Sequence, residues 1–155
     1  MVNDVGIVVL DNEFGSPPYA TLPRVGGGVN RLATRRGQQN LTFTAVGYGL
    51  QQSFPDAVSW KVQSDRVRML ATPKLLQING PGFTGDFSIL LSNNAYTGGT
   101  CFGDAGGPNF LGSSNVIGGV TSFGINGNCA GTGGVFRMDT SNVQDWLRIF
   151  PGLLP

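Results

Sequence analysis

The chain has 155 residues, of which 12% are charged and 40% hydrophobic, and its formal net charge is +1. So neutral a surface offers no broad field to recruit nucleic acid or an anionic membrane, and no apolar run approaches the roughly 20 residues that span a bilayer. Glycine (25) and proline (9) are frequent, yet the apolar content suffices to offset ordering entropy, so one folded domain with a real core is expected rather than disorder.

The chain opens with NDVGIVVL (3–10). It lacks a basic start, and its apolar run is shorter than the core of an export signal, so any signal is read as already removed, or the start as internal. Residues 5–10 predict the first strand. Further β-rich runs recur at 41–48, 67–70, 74–79, 87–91, 116–123 and 134–138, separated by turn signals such as NGPG (79–82), GSSN (112–115) and NGN (126–128). Short strands at this spacing predict an antiparallel barrel or sandwich.

The segment 12–40 differs in kind, with PPY, VGGG and RRGQQN, and reads as a long loop or linker. Its Arg24, Arg31, Arg35 and Arg36 read as solvated surface, and Asn40-Leu41-Thr42 is a short match to a glycosylation acceptor. One helix is expected over 139–150, where Val143, Trp146, Leu147 and Phe150 recur at helical spacing. Ser141 and Gln144 suit a capping box, and Pro151 stops the run. Cys101 and Cys129 are the only cysteines, too few for a structural zinc site and suited to one disulfide in an oxidising compartment; a reduced pair is the alternative.

The densest chemistry lies in TGGTCFGDAGGPNF (97–110). Without a Gly-Lys-Ser/Thr ending this is no phosphate cradle; a glycine-rich turn does let a backbone point successive N–H groups into one cavity, as stabilisation of an oxyanion requires.

CFGDAGGP (101–108) resembles the nucleophile loop of trypsin-like serine endopeptidases, with Ala105 where that family has its serine. VTSFG (120–124) resembles the strand that pairs with bound substrate, GGVFRMD (133–139) the back wall of the primary pocket, and DWLRIF (145–150) the closing helix. AVGYGL (45–50) is similar to the Gly-Trp-Gly strand, and NDVGIVVL to the strand carrying the acid of the catalytic triad. The implied fold is all-β, a Greek-key antiparallel barrel with a C-terminal helix. Residues 1–11 would be the last strand of a largely absent first barrel, 12–40 the crossover linker and 41–155 the second barrel.

The resemblance also implies roles. Asp4 would be the triad acid that orients a histidine, Ala105 occupies the nucleophile position, and the N–H groups of Gly103 and Ala105 would form the oxyanion hole. Asp104 would pair with a buried cation, in this family usually a freed N-terminal amine. Cys101 and Cys129 would brace a pocket formed by Gly99, Thr100, Ser122, Phe123, Gly124 and Gly134. Gly99 stands where trypsin carries its pocket-floor acid, so an apolar residue is expected there, and Gly124 and Gly134 are expected to leave room for an aromatic or long aliphatic group.

Two departures matter: Ala105 has no hydroxyl, and the chain contains no histidine. As written it cannot run the triad mechanism. The expectation is the C-terminal part of a secreted peptidase acting on peptide or protein substrates, inactive here, with no cofactor and no metal. A pseudoprotease that binds a polypeptide without cutting, or a half-fold assembling with a first-barrel chain that supplies the histidine, are the alternatives.

Overall fold

The computed structural model describes residues 3–27, 29, 41–51, 65–78 and 87–154. The readings of Arg31, Arg35, Arg36 and Asn40, of the NGPG turn and of the end of the 74–79 strand lie outside the described residues. Seven strands, β1 (Phe43–Gly47), β2 (Met69–Ala71), β3 (Leu75–Ile78), β4 (Ser88–Asn93), β5 (Pro108–Leu111), β6 (Ile117–Gly124) and β7 (Gly131–Arg137), are followed by one helix, α1 (Ser141–Leu147).

The strands form one antiparallel sheet in the order β2-β1-β5-β6-β7-β4-β3. β4 lies beside β7 while β5, β6 and β7 follow one another as a meander, which is a Greek-key arrangement. The sheet curls far enough to meet itself. Thr42 bridges Lys74, Phe43 N–H donates to Pro73 O at 2.8 Å, and Leu75 N–H donates to Leu41 O at 2.8 Å. Closure of this kind removes most of the exposed edge that an open sheet presents.

Side-chain alternation along β7 divides the apolar interior in two, because successive residues of a strand face opposite sides. Val135 joins Val29, Phe43, Leu75, Ile89 and Leu91 inside the barrel. Phe136 points outward and, with Met138, meets Val143 and Leu147 of α1. Both faces of β7 are therefore covered, and Gly133 to Arg137 are all buried.

The segment predicted as a first strand, 5–10, is not a strand. Val5 and Ile7 pack against the α1 cluster, whereas Val8 (83% exposed) and Val9 (77%) face outward. A strand needs a ladder partner, and this segment meets the barrel through side chains instead. The helix is also shorter than the 139–150 expected, since i→i−3 bonds from Ile149 to Trp146 O and from Phe150 to Leu147 O tighten its end. Its N-cap is Thr140, with no side-chain cap bond. The expected capping box does not form, because the buried Gln144 spends its amide on Met138 O (2.7 Å) and Pro23 O (2.9 Å).

That second bond belongs to a clamp on the linker. Asp139, fully buried, takes Arg137 Nε–H at 3.0 Å and Val29 N–H at 2.8 Å, and its carbonyl takes Gly26 N–H at 2.9 Å. The described linker residues are irregular apart from a bridge between Thr21 and Val116.

Candidate functional site

The loop between β4 and β5 is held on three sides. Covalently, Cys101 and Cys129 form a disulfide across 28 residues. Towards β6, Gly106 N–H donates to Thr121 O and Thr121 N–H to Gly107 O, both at 2.9 Å. Towards β1, the tie is Asp104: one carboxylate oxygen takes Gly49 N–H at 2.7 Å and the other takes Cys101 N–H at 2.9 Å. No ion pair to Asp104 occurs among the described residues, where the pairs are Arg137 with Asp139 and Arg148 with Asp145. Among the described residues the partners of the Asp104 carboxylate are these two backbone donors.

This tie explains the glycines of AVGYGL. A Cβ on Gly47 would lie 1.9 Å from Asp104 Oδ1, and one on Gly49 would lie 2.6 Å from its Cγ. The carboxylate occupies the volume those side chains would need, so Gly47 and Gly49 are as much part of the loop's support as Asp104 itself. Sequence reasoning missed this coupling, although two glycines flanking Tyr48 were its visible signal.

Within the loop, Gly103 (φ 96°) and Gly106 (φ 85°) adopt left-handed conformations. Asp104 N–H donates to Cys101 O at 3.1 Å and Gly107 N–H to Asp104 O at 2.9 Å, which closes the turn on itself. The N–H groups of Gly103 and Ala105 are then left with no acceptor among the described residues. Ala105, exposed at the apex, adjoins two clefts.

The first cleft, about 470 Å³, separates Ala105 and Gly106 from Asp4 and Val5. Ser122 Oγ–H donates to Asp4 Oδ2, fastening the N-terminal segment to β6 beside Ala105. Asn142 Nδ2–H donates to Asn3 Oδ1 at 3.1 Å, adding a tie to α1. The structure therefore brings Asp4, Ala105 and Ser122 around one space.

The second cleft, about 300 Å³, runs between residues 100–103 on one side and 121–124 on the other, with Cys129 alongside. Thr100, Ser122, Phe123 and Gly124 line it; Gly99 and Gly134 do not. Gly99 instead lines cavities on the far side with Leu50 and Gln51, and the Cγ of Asn93 lies 2.4 Å from where its Cβ would be. Asn93 Nδ2–H donates to Thr100 O at 2.7 Å, so it braces this wall from behind. Gly134 faces the ring of Phe123, which fills the space the sequence reading left open.

Among the described residues no group of three His, Cys, Asp or Glu is placed to hold a metal, and no helix is long and apolar enough to cross a membrane.

The family model described as Trypsin matches residues 2–147. No curated protein matches the sequence, whereas 44 solved chains do so by structure. A mutant of human heparin binding protein is similar with a TM-score of 0.59 and 18% identity, over 94% of this chain and 57% of that one. A scabies mite inactivated protease paralogue is similar with a TM-score of 0.53 and 17% identity, over 84% of this chain and 52% of that one. The chain thus spans about half the length of these structures, and at such identities the likeness concerns the fold.

Proposed function

The chain belongs to the trypsin family, and from that premise we propose that it carries the substrate-binding part of a secreted serine-endopeptidase architecture and, as sequenced, holds an extended polypeptide without hydrolysing it. Residues 1–11 would be the remnant of a first barrel, 12–40 the crossover and 41–155 the second barrel. One observation carries the reading: the N–H groups of Gly103 and Ala105 have no acceptor among the described residues, in a loop that a disulfide, Asp104 and β6 all hold in place. Two preorganised donors at a cleft suit a carbonyl oxygen that gains charge as a bond forms to it.

The chemistry stops one atom short. Attack on a carbonyl needs an oxygen at position 105 and a base to take its proton, and neither a hydroxyl there nor any histidine is present. What remains is backbone recognition along Ser122, Phe123 and Gly124 and the two N–H donors. A disulfide beside the cleft favours a compartment in which thiols stay oxidised.

A second reading is favoured by the cleft between Asp4 and Ala105: at about 470 Å³ it has room for an imidazole lying against the carboxylate. A first-barrel partner would supply that ring.

The test is amide NMR of the chain titrated with an extended, casein-derived peptide mixture, followed by mass spectrometry of the peptides. Shifts centred on Gly103, Ala105 and residues 122–124, with the peptides left intact, are expected. Shifts confined to other surfaces, or cleaved peptides, would overturn the reading.

A further inference from the structure

Phe123 and Gly134 are register partners across β6 and β7. A Cβ on Gly134 would lie 2.4 Å from Cε1, 2.4 Å from Cζ and 2.5 Å from Cε2 of Phe123. The tip of the ring therefore rests end-on over the glycine, in the volume that any side chain at 134 would fill. The ladder supplies the cause: its register shifts between Thr121 and Phe123, so Ser122 is an extra residue on β6. Such a bulge bends a strand and re-aims the side chains around it. Here it delivers the Ser122 hydroxyl to Asp4 and the following ring to Gly134. The neighbouring wall glycine is filled likewise, since a Cβ on Gly133 would lie 2.6 Å from Thr100 Oγ1.

The consequence appears in the cleft. It is lined by Thr100, Phe123, Gly124 and Cys129, yet by neither Gly99 nor Gly134, so it is shut before it reaches the depth where those glycines would have been its floor and wall. No charged side chain among the described residues lines it.

We infer that Phe123 sets the size limit of this pocket, so that it takes a small apolar side chain of the alanine or valine class and excludes an aromatic one. The inference rests on the peptide-binding reading above and replaces the aromatic preference that the glycines alone suggest. The competing explanation is structural, an aromatic ring shielding a cross-strand glycine to stabilise the sheet with no bearing on ligands.

The experiment uses the chain itself, Phe123→Ala and Phe123→Leu, each first shown to melt cooperatively. The probes are indole, acetyl-Ala-Ala-Ala-amide and acetyl-Ala-Ala-Phe-amide, followed through the amide signals of Gly103, Ser122 and Gly124. In the parent chain the Ala peptide binds at least about 5-fold tighter than the Phe peptide, and in Phe123→Ala the order reverses, with indole gaining at least about 10-fold, the low end of what one methylene is worth in an apolar pocket. Phe123→Leu falls between them and carries the comparison if the alanine variant does not fold. Tighter binding of the Phe peptide by the parent chain, or equal indole affinity in parent and variant, overturns the inference. If no peptide binds any of the three while indole enters Phe123→Ala alone, the size limit stands and the peptide-binding reading fails.

Discussion

Gly47→Ala is a single added methyl, and its effect follows from where that methyl must go. Its carbon would lie 1.9 Å from Asp104 Oδ1 and 2.7 Å from Asp104 Cγ, far inside the roughly 3.5 Å at which non-bonded heavy atoms stop repelling. β1 is hydrogen-bonded on both sides, to β2 and β5, so the carboxylate yields rather than the strand. It then gives up Gly49 N–H at 2.7 Å and Cys101 N–H at 2.9 Å. Hydrogen bonds to a charged group contribute about 1.5–3 kcal/mol each, and since Asp104 is only half-buried the lower figure applies, about 3 kcal/mol for the pair. At about 2–4 °C per kcal/mol for a chain of this length, the melting temperature should fall by about 6–12 °C. The assay is calorimetric melting of a double-mutant cycle with Asp104→Ala. Once the carboxylate is gone the nearest of these atoms left is Asp104 Cβ at 3.1 Å, a contact relieved by a shift of a few tenths of an ångström, so Gly47→Ala in that background should cost less than about 1 kcal/mol. An equal cost in both backgrounds, or a melting point within about 2 °C of the parent for Gly47→Ala alone, would refute the coupling.

Replacing both Cys101 and Cys129 by serine opens a loop of 28 residues and should lower stability by about 3–4 kcal/mol on the chain-entropy model, read from the urea midpoint; an unchanged midpoint contradicts it. Arg137→Met leaves Asp139 buried beside a thioether and should cost about 3–5 kcal/mol, with amide exchange at Val29 accelerating because its acceptor is disturbed; normal protection there counts against the clamp. Ala105→Ser alone should show only background labelling by a fluorophosphonate, since no base is present, and added imidazole should raise labelling at least about 10-fold, below the roughly 100-fold that a covalently positioned general base begins at. That gain should disappear in Asp4→Ala, and labelling independent of Asp4 would show that the cleft does not orient the base.

Strands with clean apolar runs, such as 87–91, were legible in the sequence because burial and local propensity agree there. β5 was not, since its PNFL begins at a proline and carries the buried polar Asn109, whose Nδ2–H donates to Thr121 Oγ1 at 2.9 Å; only tertiary pairing makes this a strand. β7 begins at Gly131, three residues before the predicted 134, because pairing with β4 and β6 on either side overrides the poor propensity of GTGG. Residues 5–10 failed in the opposite sense: a good β pattern found no ladder. At the site, the loop and the disulfide were readable from motif and composition. The position of the Phe123 ring was not, because a one-residue bulge decides it and no local pattern announces a bulge. Nor was the bonding of Asp104 to two backbone donors, which depends on how closely Gly47 and Gly49 approach.

The two walls of the cleft beside Ala105 differ in mechanical character. One is stapled by a disulfide and laced into β1 and β6; the other, the segment bearing Asp4, is held by the Ser122 and Asn142 hydrogen bonds and by the side chains of Val5 and Ile7 on α1. Local opening therefore has a natural line of failure, along which Asp4 departs at a small fraction of the free energy needed to disturb the loop. Whatever binds residues 3–7 would then reshape the cleft through its weaker wall, while the stapled loop keeps its form.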